Sequence, residues 1–209
     1  MDGKHADPDF AMKVFLASAS PRRRDILRNL GFEVMVCPAH VDESPFLGES
    51  PIEHVLRLAK DKVSSLDTVP LGTIGLGADT VVTLGNSILG KPSTQDEAID
   101  MLRRLSGQWH RVVTGLALRT SDHFYESYAV TDVFFSPMSE TEISWYVSTR
   151  EPMDKAGAYG IQGFASLFIR EVHGSASNVI GLPVHVLYSL IKEAGLQEAY
   201  FRRPPEQGA

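Results

Sequence analysis

Val14-Phe-Leu-Ala17-Ser-Ala-Ser20-Pro21-Arg22-Arg-Arg-Asp-Ile26-Leu27-Arg-Asn-Leu30-Gly31 changes its apolar period part-way along. Val14–Ala17 is a short continuous apolar run, the pattern of a buried strand. Ser18-Ala19-Ser20-Pro21 breaks it. Arg22–Leu30 then carries Ile26, Leu27 and Leu30 at helical spacing, and Gly31 supplies the stop. Phe32–Val36 reads as a second strand, ended by Pro38. Strand, helix and strand in close succession open an α/β fold.

The rest of the chain extends this pattern. Ser50-Pro51-Ile52-Glu53 is a capping box with proline at the first helical position, and it starts a helix to about Leu66. Thr73–Leu84 is a strand that turns at Gly85-Asn86, with Ser87–Leu89 returning beside it. Thr94–Leu105 is a helix stopped at Ser106-Gly107. Val112–Arg119 and Phe124–Phe135 form a long antiparallel pair, rich in β-branched and aromatic residues. Ser139-Glu140-Thr141-Glu142 caps a helix to about Ser148, Ser166–Val172 is a strand, and Val184–Ala194 is the last helix. Early alternation and a hairpin-rich middle predict an α/β class with a mixed sheet. Residues 1–12 read as a flexible leader, 13–198 as one domain with two lobes, and 199–209 as a proline- and charge-rich tail.

Composition narrows the functions. A net charge of −6 argues against coating a nucleic-acid polymer, which needs a broad basic surface, but leaves room for a local basic pocket. Cys37 is the only cysteine among the 209 residues, so no internal disulfide forms and a reducing compartment suits the chain. Zinc is disfavoured, because the histidines show no paired spacing with Cys37. Ala17-Ser18-Ala19 imitates a signal-peptide cleavage site, yet the apolar run before it is shorter than the roughly 7–15 residues a secretory signal needs. No stretch approaches the ~18 apolar residues of a membrane span. The expectation is a cytoplasmic protein with no membrane partner.

Several motifs suggest chemistry. Ser18 to Arg24 joins a strand to a helix N-terminus, where backbone N–H groups and the helix dipole favour an anion and arginines add phosphate donors. The residues alone leave a solvated basic turn as the alternative. Gly77-Ala78-Asp79-Thr80 puts a carboxylate inside an apolar strand, where it needs a partner or a metal. A helix-capping Asp is the alternative. Asp79 is not followed by the second Asp of Asp-x-Asp phosphatases, since Val81 stands there. Gly85 to Lys91 has P-loop spacing, but Pro92 removes both the metal-binding hydroxyl and a backbone donor. Lys62, Lys91 and Glu43 are ambiguous by themselves. As surface lysines, Lys62 and Lys91 would contribute little to stability. Gly157, Gly160 and Gly163 around Gln162 suggest backbone brought close to a ligand.

Together these segments resemble the Maf family of nucleoside triphosphate pyrophosphatases, within the inosine-triphosphate-pyrophosphatase-like superfamily. The landmarks are Ser-x-Ser-Pro-Arg-Arg at 18–23, Asp-Glu at 42–43, Gly-Ala-Asp-Thr at 77–80, Gly-Lys-Pro at 90–92, Val-x-Thr-Gly at 112–115, Asp-Lys-Ala-Gly-x-Tyr-x-Ile-Gln-Gly at 154–163 and Gly-Leu-Pro at 181–183. The resemblance implies an elongated mixed sheet with flanking helices and a central cleft. It implies cleavage of dTTP and UTP, or modified pyrimidine nucleotides, to a monophosphate and pyrophosphate with Mg, Mn or Co. Asp79 would be the general base and, with Glu43, hold the metal. Ser18, Ser20, Arg22, Arg23, Lys62 and Lys91 would bind phosphate, while Arg22, Thr80 and Gln162 would select the base. Arg22 and Thr80 would also brace the Gln162 amide or the base itself. The partner is then a small nucleotide, with a homodimer left open. A non-catalytic nucleotide-binding regulator of cell division is the alternative on the same fold. Ser177 departs from the pattern, standing where an aromatic residue is often found.

Overall fold

The computed structural model describes residues 12–85 and 87–201. Along them run β1 (Lys13–Leu16), α1 (Pro21–Asn29), β2 (Glu33–Val36), α2 (Pro51–Ser64), β3 (Ile74–Leu84), β4 (Ser87–Leu89) and α3 (Gln95–Leu105). They continue as β5 (Trp109–Arg119), β6 (Phe124–Phe135), α4 (Glu140–Ser148), β7 (Ile169–His173), α5 (Ala176–Ile180), α6 (Val184–Glu193) and α7 (Gln197–Tyr200). Both expected capping boxes form, at Ser50 with Glu53 and at Ser139 with Glu142. The class is α/β with a mixed sheet, as the pattern implied.

The sheet order is β2-β1-β3-β5-β6-β7, with β4 also paired to β3. β1 runs parallel to β2 and β3, and the other pairs are antiparallel. β1 and β4 share one edge of β3 but use different parts of it. β1 pairs with Ile74–Leu76 and β4 with Val82–Leu84. On the opposite edge β5 pairs continuously from Gly75 to Thr83. The stretch between β1 and β4, centred on Asp79, therefore has no strand on its outer edge among the described residues. Leu76 turns its carbonyl outward there and accepts from the Ala17 N–H at 2.9 Å. By the two-residue period, Ala78 and Thr80 turn their backbone groups to the same uncovered edge.

Helix α2 covers one face of this region, and two glycines let it lie unusually close. A Cβ on Gly77 would overlap the Ala59 carbonyl oxygen, and one on Gly115 would overlap that of Val55. His54, Leu58 and Lys62 follow one another at four-residue spacing along the buried face of α2.

One hydrophobic cluster joins β1, α1 and α6 through Leu16, Leu27, Leu76 and Leu187, while another packs α3 and α4 through Leu102, Leu105, Phe135 and Tyr146. Met12, expected in the leader, is buried in the first. Tyr200, expected in the tail, stacks on Phe32 at 4.9 Å and donates its hydroxyl to the Leu30 carbonyl at 2.8 Å. The remainder of both expected termini, and Asn86 of the expected turn, lie outside the described residues. The strand expected over Ser166–Val172 begins only at Ile169. Phe164–Leu167 is instead a 3₁₀ turn whose first N–H, on Phe164, is accepted by Glu151 at 3.0 Å. Among the described residues no helix is long and apolar enough to cross a membrane.

Candidate active site

The uncovered edge of β3 opens into a cleft of about 800 Å³, within the usual range for small-molecule sites. The start of α1 faces it. α2, α3 and α4 each begin with a serine or threonine whose side chain accepts from the first turn. At the start of α1, Ser20 makes no such bond, and the first turn holds no acid. Its free N–H groups and positive dipole end are thus left for an anion. Ser18 accepts from Arg23 at 3.0 Å and from the Ser20 N–H at 3.3 Å, which keeps its own hydroxyl proton available.

Asp79 and Thr80 point to opposite faces of β3 and build two different parts of the site. On the α2 side, Lys62 Nζ donates to Asp79 Oδ1 at 2.7 Å and lies 2.6 Å from Glu43 Oε1. One ammonium thus bridges the two acids expected to act together. Burial raises the Glu43 carboxyl, but Lys62, with Lys91 and Arg23 nearby, outweighs this and holds it below its ordinary range. Lys62 is only 7% exposed. Its expected role as a surface lysine of little consequence for stability is therefore corrected. Lys91 is exposed at the cleft and pairs with no carboxylate among the described residues.

On the other side Arg23 is buried and spreads its guanidinium over three acceptors. Nε donates to the Gly181 carbonyl at 2.8 Å, Nη1 to Ser18 at 3.0 Å and Nη2 to Thr80 at 3.0 Å. Burial lowers its pKa, and Asp79 offsets part of that. Three of its five N–H donors are committed to the protein, so it reaches a phosphate with the remainder. Thr80 meets Thr114 at 2.9 Å, and Thr114 donates to the Asn178 carbonyl at 3.3 Å. Asn178 is fully buried and its amide donates to the Val112 carbonyl and to Thr131 at 3.0 and 2.9 Å. Asn178 was not singled out from sequence, since nothing in its own helix marks it.

Arg22 takes a position that sequence did not indicate. Its Nη1 donates to Asp154 Oδ2 at 2.8 Å, joining the start of α1 to the loop after α4. Burial raises the Asp154 carboxyl, but Lys155 and Arg22 hydrogen bonds pull it down to about 2. Gln162 lies in the same loop, exposed at the cleft. Neither Arg22 nor Thr80 bonds to it, so the expected bracing of the amide is absent: Arg22 is taken by Asp154, and Thr80 by Arg23 and Thr114. The loop itself is held from below. Gly157 has φ of +67°, and a Cβ there would strike Val82.

The Maf-like protein family model matches residues 13–194. The chain belongs to the Maf family. Similar Maf relatives include proteins named dTTP/UTP pyrophosphatase. That of Aquifex aeolicus (strain VF5) is 42% identical over 190 residues, covering 91% of this chain and 100% of the relative. That of Anaeromyxobacter dehalogenans (strain 2CP-C) is 45% identical over 189 residues, covering 88% and 95%. Among solved structures, the Staphylococcus aureus Ham1 protein aligns with a TM-score of 0.49 at 10% identity, covering 87% of this chain and 99% of that one. All the site residues that the resemblance implied, Ser18, Ser20, Arg22, Arg23, Glu43, Lys62, Asp79, Thr80, Lys91 and Gln162, line the one cleft. His54 lines it too, and sequence reasoning passed over it. Its only signal was its place one step beyond the α2 capping box and eight residues before Lys62.

Proposed function

We propose that the chain hydrolyses nucleoside triphosphates, dTTP and UTP foremost, to the monophosphate and pyrophosphate. The observation that carries this reading is the Asp79–Lys62–Glu43 cluster facing the same cleft as the uncapped start of α1. Binding alone would call for cations and N–H donors. Two carboxylates brought to a single positive charge inside an anion site suit chemistry at phosphorus, where positioning and charge stabilisation dominate.

A divalent cation fits the donor set. Asp79 and Glu43 both meet the Lys62 ammonium, and two acids already turned to one positive charge support their holding such an ion. Among the described residues no third His, Cys, Asp or Glu joins them. Two carboxylates with phosphate oxygens and water are a set that magnesium, manganese or cobalt accepts. Such an ion would neutralise phosphate charge and acidify bound water. In this reading Asp79 gives one oxygen to the cation position that Lys62 marks and uses the other to hold the attacking water and take its proton. The water oxygen bonds to the α-phosphorus as the bond to the bridging oxygen breaks, and pyrophosphate leaves with that electron pair. The α1 N–H groups, Arg23 and Lys91 balance the charge that develops, while Gln162 and Arg22 meet the base. The single cysteine and this substrate suit a cytoplasmic enzyme.

The test is product analysis with dTTP, UTP, CTP and the purine triphosphates in magnesium, manganese or cobalt. The monophosphate and pyrophosphate should appear together, fastest from dTTP and UTP. A diphosphate with orthophosphate as first products, or no turnover of any triphosphate, overturns the reading.

A further inference from the structure

Glu49 has a side chain only 7% exposed, yet it is charged and fully partnered. Arg57 donates to both its oxygens at 2.6 and 2.9 Å, and the Phe46 N–H donates at 3.0 Å. Its Oε2 also lies 2.9 Å from His54 Nδ1. The Arg57 hydrogen bonds above all hold the Glu49 carboxyl far below its ordinary range, against burial. A carboxylate only accepts, so Nδ1 is the donor and the ring orientation is set. Arg57 Nη2, 3.3 Å from Nδ1, is itself a donor and cannot replace that bond. His54 is 4% exposed, lines the cleft, and its Nε2 has no protein partner among the described residues.

The cleft is short of uncommitted cationic side chains. Arg22 is paired with Asp154, Lys62 is shared by two carboxylates, and Arg23 serves three acceptors. Lys91 is unpaired among the described residues, and a triphosphate carries roughly four charges at neutral pH by ordinary phosphate acidity. His54 lies eight residues before Lys62 on the cleft face of α2, a rise of about 12 Å. Val55, next to it, packs with Val81 and Ile88, so this end of α2 lies against the strand hairpin that leads to Lys91. We infer that His54 is a further substrate-binding residue that meets the terminal phosphates leaving as pyrophosphate as an imidazolium, the form in which both ring nitrogens donate, Nδ1–H to Glu49 and Nε2–H to phosphate. Glu49 acts through it as a positioning residue, balancing the charge of the ring. The inference rests on the proposed triphosphate substrate and adds a residue at the end of that substrate away from the reacting phosphorus.

The experiment compares wild type with His54→Ala, His54→Gln and Glu49→Gln. Binding of inorganic tripolyphosphate and of dTMP is measured by calorimetry, with kcat and KM for dTTP alongside. His54→Ala should weaken tripolyphosphate and raise KM by roughly tenfold or more, the worth of one hydrogen bond to a charged group, with kcat changed far less. dTMP lacks the distal phosphates, so its binding should not move. His54→Gln, which keeps a donor, should recover part of the loss, and Glu49→Gln should lie between. Unchanged tripolyphosphate binding in His54→Ala overturns the inference, as does equal weakening of dTMP, which marks a merely structural histidine. Should His54→Ala not fold, His54→Gln weakening tripolyphosphate in part while leaving dTMP unmoved supports it, and unchanged binding of both or equal loss of both overturns it. A wild type that binds tripolyphosphate but cleaves no triphosphate refutes the proposed reaction without touching His54.

Discussion

Replacing Lys62 by methionine keeps the apolar stem and removes only the ammonium, leaving Asp79 and Glu43 to face each other without a cation. The Asp79 side chain is 11% exposed and that of Glu43 56%. Stranding one partner of a fully buried pair costs about 3–5 kcal/mol. Glu43 is half in water, where solvent screens most of its share, so about 2–3 kcal/mol is expected, chiefly from Asp79. For a chain of this length each kcal/mol moves the melting temperature by roughly 2–4 °C, giving a fall of roughly 4–12 °C. Manganese or magnesium should restore the variant and raise its melting temperature more than that of wild type, because in wild type the ion competes with the ammonium. Differential scanning calorimetry of both proteins, with and without the ion, measures this directly. A Lys62→Met protein that melts with wild type in both conditions would show that the three groups are not one coupled charge cluster.

Gly115→Ala should cost about 3 kcal/mol or more in urea unfolding, since the new methyl meets the Val55 backbone and cannot be repacked; a loss under about 1 kcal/mol would mean that α2 is not seated on the sheet. Gln162→Ala should lose roughly 5- to 150-fold on dTTP and UTP and less on CTP, as one unpaired polar group predicts; equal losses on all three would show general positioning without base selection. His110 is buried, which lowers its pKa from 6.5 to about 4. Between those values the unfolded chain takes a proton that the folded one refuses, so stability is lost as pH falls from about 6.5 to about 4, by roughly 3 kcal/mol. A His110→Gln variant should flatten that part of the pH profile, and an unchanged slope would assign it to other groups.

What could be read in the sequence was local. The capping residues Ser50 and Ser139 each bond within their own first turn, and the apolar run of β3 and its hairpin need no distant partner. Asp79 was legible because a carboxylate in an apolar strand is costly without company. Its company was less so: Lys62 looked like any helix lysine until Gly77 and Gly115 let α2 descend onto the sheet. Arg22 and Asp154 are 132 residues apart, and no local pattern pairs them. The 3₁₀ turn before β7 was misread as strand because its cap, Glu151, lies 13 residues upstream of Phe164. The five-residue α5 is too short to show a period.

The uncovered edge of β3 also bears on how the cleft could move. β3 and β5 cross beneath the cleft unbroken, in nine consecutive pairs from Gly75 with Arg119 to Thr83 with Arg111. No loop at that crossing can act as a swivel. Narrowing or widening the mouth means twisting a hydrogen-bonded ladder, whose stiffness resists large excursions. Capture of a ligand then falls to what rides on the ladder, namely the Glu43 loop, the Arg22–Asp154 strap and the exposed side chains of Lys91 and Gln162. The floor of the site is in effect a girder, and only its fittings are adjustable.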